Sequence, residues 1–240
     1  MLVKTILIPA IVIAGPLFAF YRLKSREKKH IRFDERMDPK SFIKLNSGWT
    51  HYELSGPDSA PVVVLIHGGS IPFCIWDYQM DILLKNGYRV LRYDHFGKGL
   101  SERINCEYSR ELYTNQLSEL LYALKIDTPV NLVGPSFGGA IAASFSARYP
   151  DRVNSIIFIS PVLNLNNSNS PLLKPINMSR LPIIGDYLFH TIILDKIIDR
   201  GINLLRNSTN IDSFKSQFFY SGTEKSFTST FKSDAYDSYR

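Results

Sequence analysis

Five consecutive residues, Gly134-Pro135-Ser136-Phe137-Gly138, have the types and spacing needed to present a nucleophile. A serine hydroxyl is a weak nucleophile, so it must stand clear of its own backbone to reach a substrate carbonyl. A sharp strand-to-helix turn achieves this, at the cost of strained backbone angles at the serine. The alternative interpretation is a glycine-rich turn that only packs a helix on a sheet, because so short a pattern also occurs by chance.

The neighbours of Ser136 agree with the strand-to-helix interpretation. Leu132 and Val133 precede the turn, and small residues at 138–140 follow it. Glycines here remove side chains that would collide where the strand and the helix fold over each other. The N–H of Phe137 would lie in the first turn of the helix and point where negative charge develops on a substrate oxygen. The helix dipole favours that charge.

Alternating strands and helices must position this turn. Apolar runs and alternating patterns predict strands at 41–45, 49–54, 61–66, 88–93, 129–133 and 153–160, and helices at 77–85, 110–125 and 136–149. The first two strands form a hairpin whose turn is at 46–48. Strands that alternate with helices predict a mostly parallel sheet with helices on both faces.

Four motifs share one order along the chain and together resemble those of the α/β-hydrolase fold family. They are His67-Gly68-Gly69 after a strand with Trp76 downstream, Asp94-x-x-Gly97-x-Gly99-x-Ser101, the turn at Ser136, and Tyr149-Pro150-Asp151-Arg152-Val153 before a strand. The resemblance covers residues 41–160, which we predict to be the α/β-hydrolase core.

The resemblance implies a catalytic role for three residues. Ser136 would be the nucleophile, and the backbone N–H groups of Gly69 and Phe137 would form the oxyanion hole. A glycine-rich loop at the carboxyl end of a strand is also where an open α/β sheet should place such a donor. The implied activity is hydrolysis of an ester or related acyl bond through an acyl-serine intermediate. No metal or organic cofactor is implied, and a serine argues against the family's dehalogenases and epoxide hydrolases, which use an aspartate.

Five other polar side chains could be mistaken for catalytic groups. We expect His67 to hold the glycine loop through its ring nitrogens rather than to transfer a proton. Asp94 ends a strand, and the resemblance makes it a structural residue that fixes the following glycine loop. We expect His95 to be a solvated loop residue, with substrate contact as the alternative. His51 and His30 have no partner that the sequence suggests.

The composition changes after residue 160. We predict that residues 161–240 form a helical cap, with helices at 181–206, 213–220 and 226–239, the first of them apolar on one face. In the resembling enzymes a cap covers the serine, shapes the pocket and excludes water. An ordinary extra helical layer and a lipid-contacting surface are the alternatives.

An acid and a histidine are expected after the serine, and neither is identifiable. The only histidine after Ser136 is His190, within the apolar helical run, and the chain ends at Arg240 before the expected seventh and eighth strands. Three explanations compete: a fragment of a longer enzyme, a non-catalytic relative, or His190 as an unusual base. The intact motifs favour the fragment. It would leave the strand at 153–160 as a bare apolar edge, prone to aggregation.

The N-terminal segment 1–32 is predicted to be a membrane anchor with a basic flank. An uncharged apolar run from Thr5 to Tyr21 has about the length of a short spanning helix. A signal peptide is the rival interpretation, but the positive charge lies after the run and no small-residue cleavage site ends it. The positive-inside tendency predicts that the main domain lies on the cytoplasmic side.

The charge distribution and the two cysteines argue against nucleic-acid binding and against a cysteine metal site. The formal charge of +6 arises entirely from residues 1–32, so the rest of the chain is formally neutral and a nucleic-acid face is not expected. Cys74 and Cys106 lack a metal-like spacing and are predicted to be free thiols. The sequence thus predicts a membrane-anchored serine hydrolase with a small-molecule or lipid acyl substrate. The alternative is a catalytically inactive, membrane-associated binding or scaffold protein.

Overall fold

A six-stranded sheet forms the centre of the protein. The computed structural model describes residues 15, 29–34, 36–163, 177–178, 180–181, 184–206 and 210–236. The sheet has the order β1-β2-β4-β3-β5-β6. Its strands are β1 (Phe42–Lys44), β2 (Trp49–Ser55), β3 (Val62–Ile66), β4 (Arg89–Tyr93), β5 (Val130–Pro135) and β6 (Val153–Ile159).

The four strands at one side of the sheet run parallel and the hairpin at the other side runs antiparallel. β3 pairs in parallel with both β4 and β5, and β5 pairs in parallel with β6. β1 and β2 form the predicted hairpin, and β2 joins the sheet antiparallel to β4. Every residue of β3 is buried, as expected for a β-branched, apolar strand covered on both faces.

Seven α-helices lie within the described residues. They are α1 (Asp77–Lys85), α2 (Arg110–Ala123), α3 (Phe137–Arg148), α4 (Ile184–Leu188), α5 (Leu194–Leu204), α6 (Ile211–Ser216) and α7 (Thr223–Lys232). The Ser109 side chain caps α2 by accepting a hydrogen bond from the Leu112 N–H at 3.3 Å. A π-helical turn, Phe189–Ile193, joins α4 to α5.

The C-terminal helices differ in detail from the prediction. The run predicted at 181–206 is divided by the π-helical turn, and the helix predicted at 226–239 spans 223–232 instead. It begins after Gly222, whose φ is +89°, and it ends because Ser233 is extended. The Ser233 hydroxyl donates to the Tyr108 carbonyl oxygen at 2.8 Å, which draws the chain out of the helix. Residues 237–240 lie outside the described part.

The C-terminal helices share one core with the sheet. α7 packs on the loop after β4, where the Ser226 hydroxyl donates to the Gly97 carbonyl oxygen at 2.8 Å. Five phenylalanine side chains are buried between the helices: Phe189, Phe214, Phe218, Phe227 and Phe231. The fold class predicted from the sequence, a mostly parallel sheet with helices on both faces, is confirmed, while the helical cap stays a prediction. The proposed boundaries at residues 32, 41 and 160 stay predictions.

Among the described strands, β6 forms one edge of the sheet. Ile157, Phe158 and Ile159 are 57%, 42% and 46% exposed. Consecutive residues of a strand point to opposite faces, so both faces of this edge present apolar side chains. An open apolar edge is a site for unwanted strand pairing.

The predicted membrane location was wrong. Across the described residues, no helix combines the length and the apolar character needed to cross a bilayer. The run from Thr5 to Tyr21 that suggested an anchor lies outside the described residues except for Gly15. The predicted anchor and the predicted cytoplasmic placement were therefore wrong.

Candidate active site

Ser136 occupies the sharp turn between β5 and α3. Its φ is 48° and its ψ is −116°, a conformation that residues with a side chain rarely adopt. The side chain is half-buried rather than enclosed in the core. The strained, accessible serine that the motif predicted is therefore present.

Backbone hydrogen bonds hold the turn in this conformation. The Ser136 N–H donates to the Ile159 carbonyl oxygen at 3.1 Å. The Ser136 carbonyl oxygen accepts from Gly139 N–H at 3.1 Å and from Val162 N–H at 3.0 Å. The end of β6 and the residues after it thus help to fix the angles of the serine.

Two glycines allow α3 to approach the sheet closely. A Cβ at residue 138 would overlap the Ile66 carbonyl oxygen and lie 2.7 Å from the His67 carbonyl oxygen. A Cβ at residue 134 would lie 2.5 Å from the Gly138 carbonyl carbon. Only hydrogen fits at either position, which explains why the turn has glycine on both sides of the serine.

The glycine loop after β3 lies against the serine turn. A Cβ built on Gly68 would be 3.9 Å from Ser136 Cβ, and one built on Gly69 would be 3.6 Å from Phe137 Cβ. Phe137 is the first residue of α3, so its N–H has no acceptor within the helix. The structure thus brings Gly69, Ser136 and Phe137 together, while their catalytic roles stay predictions.

Two buried histidines hold the glycine loop. His67 Nδ1 donates to the Gly68 carbonyl oxygen at 2.6 Å, and its Nε2 accepts from the His95 N–H at 3.0 Å. His95 Nε2 donates in return to the His67 carbonyl oxygen at 2.9 Å, and the two ring centroids are 3.8 Å apart. Both ring nitrogens of His67 bind backbone groups, as we expected. The expectation that His95 is solvated was wrong, because its side chain is fully buried.

We predict that acidification between pH 6.5 and pH 4 destabilises the protein through His67. Burial lowers the pKa of His67 from 6.5 to about 4, although the Asp94 charge opposes this shift. Between these values the unfolded chain binds a proton that the folded state does not. The free energy of unfolding is therefore highest above pH 6.5 and falls as the pH falls, by about 3 kcal/mol for this group. The lowered pKa of buried His95 acts in the same direction.

Urea unfolding at a series of pH values measures this dependence. His67→Gln retains an acceptor for the His95 N–H but cannot titrate, so its stability should vary less with pH than that of the wild type. His30→Gln, at an exposed histidine, should keep the wild-type pH dependence. An equally steep dependence in His67→Gln would contradict the assignment.

Asp94 binds the loops around it rather than the reacting centre. Its Oδ1 accepts from the Phe73 N–H at 2.9 Å, and its Oδ2 accepts from the Leu100 N–H at 2.9 Å. His51 Nδ1 lies 2.8 Å from Oδ2. Burial alone would raise the pKa of Asp94, but the hydrogen bond and charge of His51 lower it overall. The predicted structural role agrees with these contacts.

The His51 partner could not be read from the sequence. β2 and β4 pair antiparallel, with Tyr52 opposite Tyr93. His51, one residue before Tyr52, therefore lies beside Asp94, one residue after Tyr93. The alternating pattern of β2 predicted the strand itself. Its pairing with β4, which brings His51 beside Asp94, became visible only in the structure. His30, the other unassigned histidine, has its Nε2 3.5 Å from the Ser221 hydroxyl.

A family model for the alpha/beta hydrolase fold matches residues 61–185, which include the glycine loop and the serine turn. The chain belongs to the α/β-hydrolase fold family. The resemblance carried by the four motifs is therefore confirmed at the level of the family.

Curated relatives of this α/β-hydrolase include named esterases. It is 33% identical over 123 residues to the bifunctional esterase/perhydrolase DCH of Acinetobacter calcoaceticus, covering 50% of this chain and 44% of that protein. It is 35% identical over 121 residues to a protein described as the uncharacterized carboxylesterase nap of Bacillus subtilis, covering 50% and 40%. The matched region thus spans less than half the length of these relatives.

Solved structures share the fold at low identity. The enol-lactonase of Burkholderia xenovorans superimposes with a TM-score of 0.61 at 24% identity, covering 80% of this chain and 72% of that one. Cfl2 of Burkholderia cenocepacia gives a TM-score of 0.68 at 18% identity, covering 85% and 74%. At these identities the similarity concerns the fold.

His190 contacts a carboxylate of the C-terminal helices. Its Nδ1 lies 2.6 Å from Glu224 Oε2, and both side chains are almost fully buried where the π-helical turn meets α7. Burial lowers the pKa of His190 to about 4. Within the described part of the chain, no histidine or carboxylate is hydrogen-bonded to Ser136 Oγ. We therefore assign His190 to the contact between the C-terminal helices rather than to proton transfer.

Lys98 is a buried lysine that the sequence did not reveal. It occupies the loop after β4, with Nζ 3.2 Å from the Ser226 hydroxyl and 3.6 Å from the centre of the Phe227 ring. Burial, assisted by the Arg103 charge, lowers its pKa well below the usual value. Lys98 thus connects α7 to the loop after β4, which Asp94 also stabilises by accepting a hydrogen bond from the Leu100 N–H.

A metal centre finds no support among the side chains that the structure describes. No three His, Cys, Asp or Glu residues there are grouped so that they could hold an ion. Cys74 is buried, Cys106 is exposed, and both are free thiols. The groups assembled around Ser136 are thus a hydroxyl and main-chain amides.

Proposed function

We propose that this protein is a serine hydrolase that cleaves an ester or related acyl bond through an acyl intermediate on Ser136. The observation that carries the proposal is the conformation of Ser136, whose φ of 48° presents its half-buried hydroxyl beside the Gly68–Gly69 loop. Such strain is retained in proteins where the surrounding contacts enforce it, and it is concentrated at functional sites.

The proposed reaction begins with attack by Ser136 Oγ on the acyl carbon. A bond forms between them, the carbonyl π electrons move onto the carbonyl oxygen, and the hydroxyl proton passes to a general base, a role that we assign to none of the described residues. The N–H groups of Gly69 and Phe137 stabilise the resulting oxyanion, a contribution of roughly 10² to 10³ in rate for one donor. Collapse expels the alcohol, which takes the proton, and water then releases the acid from Ser136.

The named relatives support an ester as the substrate class. One is described as a bifunctional esterase/perhydrolase and another as an uncharacterized carboxylesterase. A relative described as an epoxide hydrolase is also similar, but the serine at position 136 favours acyl transfer over the aspartate chemistry of that group. A small-molecule acyl substrate is therefore the partner that we propose, with no metal or organic cofactor.

A non-catalytic binding protein is the second candidate. It is favoured by one observation, which is that no base contacts Ser136 Oγ among the described residues. Loss of the base removes most of the rate of a serine hydrolase, leaving roughly 10³ to 10⁴ over the reaction in water.

Labelling with a fluorophosphonate probe tests the proposal. We expect the wild-type protein to be labelled and Ser136→Ala to be unlabelled, because phosphorus reacts with an activated serine oxygen. Ser59→Ala, at an exposed serine, is the matched control and should label like the wild type. If neither this chain nor a version extended past Arg240 is labelled, the binding protein is favoured, whereas labelling of the extended version alone would favour a fragment of an enzyme. Labelling that persists in Ser136→Ala would reject Ser136 as the nucleophile.

A further inference from the structure

The hydroxyl of Tyr236 lies beside the proposed oxyanion site. A Cβ built on Gly69 would be 2.7 Å from Tyr236 Oη and 3.6 Å from Phe137 Cβ. The tyrosine hydroxyl therefore meets the glycine loop at the point where that loop faces the first residue of α3. Although far apart in sequence, the three residues converge within van der Waals range.

The Tyr236 ring is firmly held. Its centroid is 4.6 Å from that of Phe137 and 5.8 Å from that of Phe231. Two hydrogen bonds connect the residues before Tyr236 to the chain around the start of α2. The Arg110 N–H donates to Asp234 Oδ1 at 3.0 Å, and the Ser233 hydroxyl donates to the Tyr108 carbonyl oxygen. These contacts fix the direction of the hydroxyl.

The Tyr236 hydroxyl has an unused hydrogen-bonding capacity. The side chain is only 7% exposed, and within the described residues its Oη makes no hydrogen bond. The neighbouring buried Tyr113 is paired with the Thr230 hydroxyl at 2.9 Å. Burial also raises the pKa of Tyr236, which keeps the group protonated and able to donate.

The geometry suits two donors that share one acceptor. Tyr236 Oη lies at most roughly 5 Å from the Gly69 nitrogen, because that nitrogen and the built Cβ are bonded to the same Cα. Donors that each bind one oxygen at about 2.8 Å are themselves about 4–5 Å apart. An oxygen bound by the Gly69 N–H is therefore within reach of the tyrosine hydroxyl.

We propose that Tyr236 donates a hydrogen bond to the carbonyl oxygen of the acyl substrate, as a third oxyanion donor beside Gly69 and Phe137. This inference rests on the proposed function of Ser136. It gives the C-terminal segment a direct contact with the substrate. A helical layer that only covered the site would make no such contact.

Binding of 1-butaneboronic acid tests the proposal without requiring turnover. Boron accepts the Ser136 oxygen and forms a tetrahedral, negatively charged adduct that resembles the oxyanion intermediate. We expect Tyr236→Phe to weaken this binding roughly tenfold, the usual effect of one hydrogen bond to a charged group. The measurements are the dissociation constant from tryptophan fluorescence and the tetrahedral ¹¹B resonance.

Tyr93→Phe is the matched control. Tyr93 is a buried tyrosine whose hydroxyl makes no hydrogen bond within the part of the chain that the structure describes, so its removal tests the general effect of deleting a tyrosine hydroxyl. Tyr93→Phe should bind the boronic acid like the wild type, and circular dichroism should show that both variants are folded.

The outcomes separate this inference from the function on which it rests. Binding that is lost in Ser136→Ala but unchanged or strengthened in Tyr236→Phe would overturn the role of Tyr236 and leave the serine hydrolase standing. A wild type that forms no tetrahedral adduct at Ser136 would overturn both. Weaker binding in Tyr236→Phe alone supports the proposal.

Discussion

Gly138→Ala is expected to lower the free energy of unfolding by about 3 kcal/mol or more. The added methyl group would overlap the Ile66 carbonyl oxygen and press on that of His67. Both obstacles are backbone atoms of β3 and the glycine loop, so neither can rotate away as a side chain would. Relief would require α3 to move off the sheet, which would also displace Ser136.

Gly68→Ala provides the matched control for Gly138→Ala. Its Cβ would make only ordinary contacts, at 3.8 Å from the Pro135 carbonyl oxygen and 3.9 Å from Ser136 Cβ. We expect urea unfolding, followed by tryptophan fluorescence, to show a much smaller loss of stability for Gly68→Ala. Equal stability of the two variants would show that α3 does not approach the sheet as closely as the structure indicates.

Asp94→Ala is expected to lower the free energy of unfolding by about 3–5 kcal/mol. The buried carboxylate accepts hydrogen bonds from the Phe73 and Leu100 N–H groups and contacts His51 Nδ1 at 2.8 Å. Alanine leaves these groups without their acceptor in a place from which water is excluded. The loop that follows β4 would lose the group that organises it, so thermal and urea unfolding should both shift strongly.

Asp58→Ala separates the effect of burial from the loss of a carboxylate. Asp58 is 93% exposed and pairs with Arg89 at 2.8 Å on the surface. Surface ion pairs contribute little to stability, so this variant should unfold almost like the wild type. If Asp94→Ala behaved like Asp58→Ala, the structural role of Asp94 would be wrong.

Much of the core and the serine turn could be predicted because their signals are local. An entirely apolar strand such as β3 removes its side chains from water only when both faces of the sheet are covered. Glycines on both sides of Ser136 indicate a place where the backbone comes close to itself. The motifs at residues 67–69 and 94–101 extend this reasoning to the two loops beside the turn.

The sequence was less informative about the C-terminal helices. Their apolar periodicity predicted helices, but it could not predict the π-helical turn at Phe189–Ile193 or the end of α7 at Lys232. Both depend on contacts with distant residues, such as the bond from Ser233 to Tyr108. The predicted membrane location failed because an apolar run and a basic flank describe composition alone.

The sequence by itself determined the strand-to-helix turn and the candidate nucleophile, because steric limits on a few neighbouring residues are sufficient to specify them. The family was indicated by the resemblance of four motifs. Only the tertiary structure decided which distant groups surround that turn. The pairing of His51 with Asp94, the burial of Lys98 under Phe227 and the position of Tyr236 beside Gly69 all join segments far apart in the chain. Such contacts follow from how whole layers pack, and no local pattern of residues encodes them.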